Sequence, residues 1–196
     1  MVSDSLPRPR LLRLRDGRAV TLRAIEAGDA DEIVAAFERL SDESRYSRFM
    51  QHKKRLSVAA LERGVHPRPG LDFVYVATIP TPDGIDIVGA AQYVRAQPDD
   101  ESVCEFAITV AEDWRGNGLA RALMSRLLRR ARRDGYETME GWVLASNAPM
   151  LALARGLGFV ADRAADDPGV VHVQRALQAS RLPGRLRRFA SGVGRT

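Results

Sequence analysis

Between residues 102 and 133 the chain changes its hydrophobic period, and few folds accommodate that change. SVCEFAITV (102–110) places apolar side chains at every second position, the period of a strand with one buried face. After a turn containing two glycines, Leu119, Leu123, Leu127 and Ala131 recur at every fourth position, with Met124 and Leu128 beside them. That is the period of a helix with one apolar side. The arginines at 121, 126, 129, 130, 132 and 133 largely occupy the other side, and Asp134-Gly135 ends the run. A strand that feeds a helix in this way belongs to a sheet with helices packed on it.

The flanking segments supply the rest of such a sheet. LLRLRDGRAVTLRAI (11–25) alternates around Asp16-Gly17, which predicts two antiparallel strands joined by a tight two-residue turn. Asp29 precedes a helix carrying Ile33, Val34, Phe37 and Leu40, with Asp31 and Glu32 in its first turn, where the helix dipole favours acids. A short helix is predicted from Ser57 to Gly64. FVYVAT (73–78) and IVGAAQYV (87–94), separated by Pro80, Pro82 and Asp83-Gly84, read as a hairpin. TMEGWVLA (138–145) is a further strand, Ala148 to Leu157 a helix stopped by Gly158, and Phe159-Val160 with VVHVQRAL (170–177) the last strand material. The expected fold class is α/β (α+β mixed sheet), with helices on both faces.

A chain of 196 residues suits one core. We expect a flexible N-terminus over 1–10, one domain over 11–178 and a basic tail over 179–196. The apolar stretches are too short and interrupted to cross a bilayer, and no signal-peptide pattern opens the chain. The single cysteine, Cys104, excludes an internal disulfide and suits the cytoplasm. The net charge of +5 invites a nucleic-acid partner. The tail RLPGRLRRFASGVGRT holds much of that excess, and a solvated tail is the preferred explanation. His52, His66 and His172 lack metal-ligand spacing, so no metal is expected.

Chemistry concentrates at the period change. Gly116 and Gly118 precede a helix N-terminus whose N–H groups lack intrahelical partners, a place suited to phosphate or pyrophosphate. Arg115 adds a cation. The residues alone also allow a plain glycine-containing turn, and neither a Walker loop nor a dinucleotide fingerprint is present. Glu105 is a carboxylate among apolar neighbours in VCEFAITV, where charge is costly. Taken alone it reads as an edge-strand glutamate or half of an ion pair.

Arg115, Gly118 and Ala120 match the Gln/Arg-x-x-Gly-x-Gly/Ala signature of the GCN5-related N-acetyltransferases (GNAT). EDWRGNGLARALMSRLL resembles that family's pyrophosphate loop and following helix, and SNAPMLALARGLGF (146–159) its Asn-led helix ending in Leu-Gly-Phe. RAIEAGDADEIVAAFERLSDESRYSRF (23–49) is similar to the opening of the bacterial Pat-type branch, which includes protein-lysine acetyltransferases. The resemblance spans about Val20 to Leu177. It implies the acyl-CoA N-acyltransferase fold, a mostly antiparallel sheet with helices on both faces and a splayed parallel strand pair, here 102–110 and 138–145. It also implies acetyl-CoA as acyl donor. Pantetheine would pair around Ile108, Thr109 and Val110, and pyrophosphate would sit on residues 116–121, that is Gly116, Asn117, Gly118, Leu119, Ala120 and Arg121. Asn147 would face the pantetheine or cap its helix, or do both.

By the same resemblance Glu105 is the general base that prepares a primary amine, on a protein lysine or a small molecule, for direct attack on the thioester. A backbone N–H near Val110 would hold the oxyanion. One departure stands out: the tyrosine that many members use to protonate the thiolate is replaced by Ala154. Two other functions compete, a non-catalytic acyl-CoA sensor and, ranked lower, a nucleic-acid-binding protein. No membrane partner is expected, and a homodimer is compatible with the family.

Overall fold

The computed structural model describes residues 6–51, 54–163 and 167–177. His52, Lys53 and the expected basic tail lie outside them. The elements run β1 (Arg10–Arg13), β2 (Ala19–Ala24), α1 (Ala30–Glu38), α2 (Asp42–Phe49), α3 (Val58–Val65), β3 (Phe73–Thr81), β4 (Gly84–Gln97) and β5 (Asp100–Val110). They continue with α4 (Leu119–Arg133), β6 (Thr138–Leu144), α5 (Ala148–Gly156), β7 (Val160–Arg163) and β8 (Val170–Ala176).

The strands form one mixed sheet in the order β1-β2-β3-β4-β5-β6-β8-β7. Only β5 and β6 pair in parallel; their neighbours are antiparallel. Helix α4 covers one face and buries Leu119, Leu123, Met124, Leu127 and Leu128 in the larger core. Each such side chain stabilises by roughly 1.5–3 kcal/mol when taken from water. The opposite face holds a smaller cluster of Ile25, Val65, Val74, Val76 and Ile87, against which Ile33 and Leu61 of α1 and α3 pack.

Two local expectations change. The β1–β2 connection is wider than a two-residue turn. Arg13 still pairs with Ala19, Leu14 N–H donates to Arg18 C=O at 2.8 Å and Gly17 N–H to Leu14 C=O at 3.1 Å. Gly17 alone takes a positive φ, +86°. Asp16 is thereby spared the left-handed conformation that a two-residue turn would impose, and its carboxylate accepts from Arg18 N–H at 3.0 Å.

Helix α2 was not foreseen. Its apolar content is low, so no buried stripe marks it. Its signal lies in its cap: Ser41 accepts from Ser44 N–H, with Asp42 and Glu43 in the first turn.

Candidate functional site

The sheet opens between its two parallel strands. Pairing of β5 with β6 covers Val103↔Thr138, Cys104↔Met139 and Glu105↔Glu140. At the next position the ring of Phe106 lies across the backbone of Gly141. A Cβ on Gly141 would sit 2.6 Å from Phe106 Cε1. Phe106 is held there by Phe159, edge to face at 5.2 Å between centroids. The ring thus acts as a wedge, and beyond it β5 and β6 separate.

Strand alternation decides which backbone groups face the gap. Ser102 C=O accepts from Glu137 N–H on the β6 side, while Ala111 N–H donates to Val88 C=O of β4. Peptide groups alternate sides along a strand, so Ile108 and Val110 turn theirs into the gap and Thr109 turns its own to β4. Arg115 Nε occupies the Val110 carbonyl at 3.2 Å, which leaves the Val110 N–H facing the gap.

A cleft of about 840 Å³ fills the opening. It brings together Glu105, Ile108, Thr109 and Val110 of β5, Arg115, Gly116, Gly118, Ala120 and Arg121 of the loop and first turn of α4, and Asn147 before α5. Two sequence candidates stand apart from its lining. Leu119 is only 1% exposed and belongs to the core. Asn117 supports the loop, accepting from Arg15 N–H on its carbonyl at 3.2 Å.

The loop has the geometry of an anion cradle. Gly116 and Gly118 hold φ +77° and +91°, values costly for any side-chain-bearing residue. The first helical bond of α4 is Ala122 N–H to Gly118 C=O at 3.0 Å. None of the N–H groups from Gly116 through Arg121 has an acceptor among the described residues. Unpaired donors at a 15-residue helix start fit a diphosphate in charge and direction.

The cations around this loop are arranged differently from the sequence expectation. Arg115 is turned inward, donating to Ser44 Oγ at 2.7 Å as well as to Val110. Arg15, not singled out from the sequence, reaches the loop instead: its Nε lies 3.8 Å from where a Cβ on Gly118 would be. Arg121 donates to Gly156 C=O at 2.9 Å and ties α4 to α5. Arg18 stacks its guanidinium 3.9 Å above Trp114 and donates to Asp113 C=O at 2.7 Å. The β1–β2 hairpin therefore braces the loop. Nothing in the local sequence marks Arg15 and Arg18, because the contacts are non-local.

Asn147 caps α5, its Oδ1 accepting from Met150 N–H at 3.1 Å, and it also lines the cleft. Glu105 sits where the strands part. Burial raises its pKa, the Glu140 carboxylate raises it further, and Arg48 and His172 oppose both. Glu140 meets His172 Nε2 at 2.9 Å, and His172 packs on Trp142 with centroids 4.5 Å apart. A half-buried carboxylate with a raised pKa is a stronger base than a solvated one.

The other candidates are structural. Cys104 is fully buried, and burial pushes its thiol up to about 12, so it stays protonated and inert. Ala154 is 1% exposed and packs in the core. Among the described residues no group of three or more His, Cys, Asp or Glu could hold a metal ion.

Comparison with known proteins identifies relatives of this chain. Residues 35–159 match the family described as Acetyltransferase (GNAT) family. The acetyltransferase PA5475 of Pseudomonas aeruginosa is 34% identical over 154 residues, 79% of this chain and 82% of that protein. The acetyltransferase Pat of Mycolicibacterium smegmatis is 29% identical over 162 residues, 82% of this chain but 46% of that protein. This chain therefore spans about half the length of Pat. The crystal structure of the GNAT domain of S. lividans PAT superposes with a TM-score of 0.77 at 27% identity, covering 86% of this chain and 96% of that one.

Proposed function

The chain belongs to the GNAT acetyltransferase family, and from that premise we propose that it transfers an acetyl group from acetyl-CoA to a primary amine with Glu105 as general base. One observation carries the reading. The loop and first turn of α4, with their unpaired N–H groups, and the gap between β5 and β6 line one cleft together with Glu105.

Bound acetyl-CoA supplies an activated thioester carbonyl. In this reading the amides of residues 116–121 hold its diphosphate, with Arg15 adding charge beside Gly118. The peptide groups of Ile108 and the N–H of Val110 act as the strand edge that receives the pantetheine arm. Glu105 takes a proton from the acceptor ammonium, whose reference pKa is about 10.4 for a lysine side chain. The neutral nitrogen then attacks the carbonyl, and the Val110 N–H stabilises the oxyanion. The C–S bond breaks and the thiolate takes a proton from solvent, since Ala154 offers no hydroxyl. Residues 11–178 act as one domain in this proposal, because β1 through β8 share one sheet. No helix of the described residues is long and apolar enough to cross a membrane, and a buried reduced Cys104 suits the cytoplasm.

Calorimetry with coenzyme A and acetyl-CoA, together with thiol release in the presence of an amine panel, tests the proposal. Binding with amine-dependent release supports it. No heat at millimolar ligand removes it. Ala154 favours one second reading, an acyl-CoA sensor without turnover. That reading requires binding with no thiol release for any amine.

A further inference from the structure

Two cavities meet beside Glu105. A second one, of about 540 Å³, lies between β3–β5 and helices α1–α3. Arg48, Phe49, Ala107 and Thr109 line both spaces. The walls of the second are mainly apolar, from Ile33, Phe37, Leu61, Val74 and Ile87. The donor reading above places nothing in it.

Arg48 stands at the junction. It is half-buried, yet among the described residues its guanidinium forms no hydrogen bond or salt bridge. Its neighbours are the ring of Phe49, 4.8 Å from Cζ to the centroid, and the field of Glu105. Burial disfavours its charge, but an arginine remains a cation at neutral pH. A half-buried guanidinium with no protein acceptor among the described residues keeps its donors open to a ligand. Its planar fork of donors matches a carboxylate in two-point geometry. Glu105 and Arg48 line the same cleft without closing into an ion pair. Such an open pair of opposite charges complements a zwitterion.

Resting on the acetyltransferase reading, we propose that the acceptor is an amino acid with a free carboxylate and an apolar side chain. Its ammonium lies at Glu105, its carboxylate on the Arg48 fork and its side chain in the second cavity. The transfer forms an N–C bond to the acetyl carbonyl and breaks the thioester C–S bond. Of the three ammonium protons, one stays on the amide nitrogen, one balances the proton gained by the thiolate, and one is released to solvent. A lysine side chain within a protein brings no anion for Arg48.

The test is calorimetry of the full chain saturated with coenzyme A, titrated with L-leucine, L-methionine and L-phenylalanine and with their methyl esters. Thiol release from acetyl-CoA is followed in parallel. The free acids are expected to bind about 10-fold or more tightly than the esters, since an ester leaves the half-buried cation without its charge-assisted hydrogen bonds. Arg48→Met abolishes the difference, Arg48→Lys restores part of it, and neither changes coenzyme A affinity. Should the Arg48 variants fail to fold, the acid-against-ester comparison on the unaltered protein decides. Equal binding of acid and ester overturns the inference. So does acetylation of a lysine peptide with no amino-acid binding, or a preference for octanoyl-CoA that assigns the cavity to an acyl chain. In those cases the acetyltransferase reading survives. Absence of any coenzyme A binding removes both.

Discussion

The Ser44 hydroxyl of α2 donates to Glu112 Oε1 at 2.5 Å and so joins two segments 68 residues apart. Ser41 adds its hydroxyl at 2.9 Å and its N–H at 3.2 Å to the same oxygen. Burial opposes the charge on Glu112, but the bonds from Ser44 and Ser41 outweigh it and hold the carboxyl at about 2. A depressed folded pKa contributes stability above the unfolded value and loses it as pH falls through the folded one. Between about pH 4.5 and 2 the unaltered protein should therefore lose this contribution while Glu112→Gln shows no matching loss. The difference at neutral pH is expected near 1 kcal/mol, discounted for the exposed part of the group. Urea titrations of both proteins across that pH range measure it.

Glu105→Gln should lower kcat by about 100-fold or more, the usual reach of a general base, with coenzyme A affinity unchanged. The same substitution should raise the melting temperature slightly at neutral pH. The folded-state pKa of Glu105 is raised, so its favourable protonated form prevails at low pH and is lost as pH rises through that value. A neutral amide avoids that loss. Stopped thiol assays and thermal melts on one preparation check both halves.

Glu140 raises the Glu105 pKa through its charge. Glu140→Gln keeps a polar partner for His172 and removes that charge. The acidic limb of the kcat/KM profile should move to lower pH. An unmoved limb would assign it to a group other than Glu105.

Gly141→Ala places a methyl 2.6 Å from a rigid ring. Overpacking of this kind costs about 1–3 kcal/mol, and Phe106 can yield only by disturbing Phe159. Urea unfolding should show the loss. Phe106→Leu in the Gly141→Ala background should recover part of it.

Gly116→Val would demand a positive φ from a β-branched residue, at a cost of about 1–2 kcal/mol, and would shade the adjacent amides. Coenzyme A affinity should fall by about tenfold or more, which calorimetry reads directly.

The sequence revealed most of the sheet because its signals are local. Alternation marks β3, β4 and β5, and a four-residue apolar repeat marks α4. The glycine loop before α4 was equally legible, since two glycines and a helix start are adjacent in the chain. What escaped depends on distant segments meeting. Arg15 reaches Gly118 through the β1–β2 hairpin, and Arg48 reaches Glu105 only because α2 lies beside β5. Helix α2 itself is polar, so its burial pattern carries little signal, and only its cap at Ser41 announces it. The Phe106–Gly141 wedge is invisible to any periodicity, being a contact between two strands.

That wedge has a further consequence. Ile108 and Val110 face an opening that β6 leaves bare, so a pantetheine arm bonded there would serve as a temporary strand between them. Under the proposed reading, sheet integrity in this region rises and falls with each catalytic cycle. Amide exchange at these two positions then becomes a clock for donor occupancy, slow while the thioester or its product is seated and fast in the interval between.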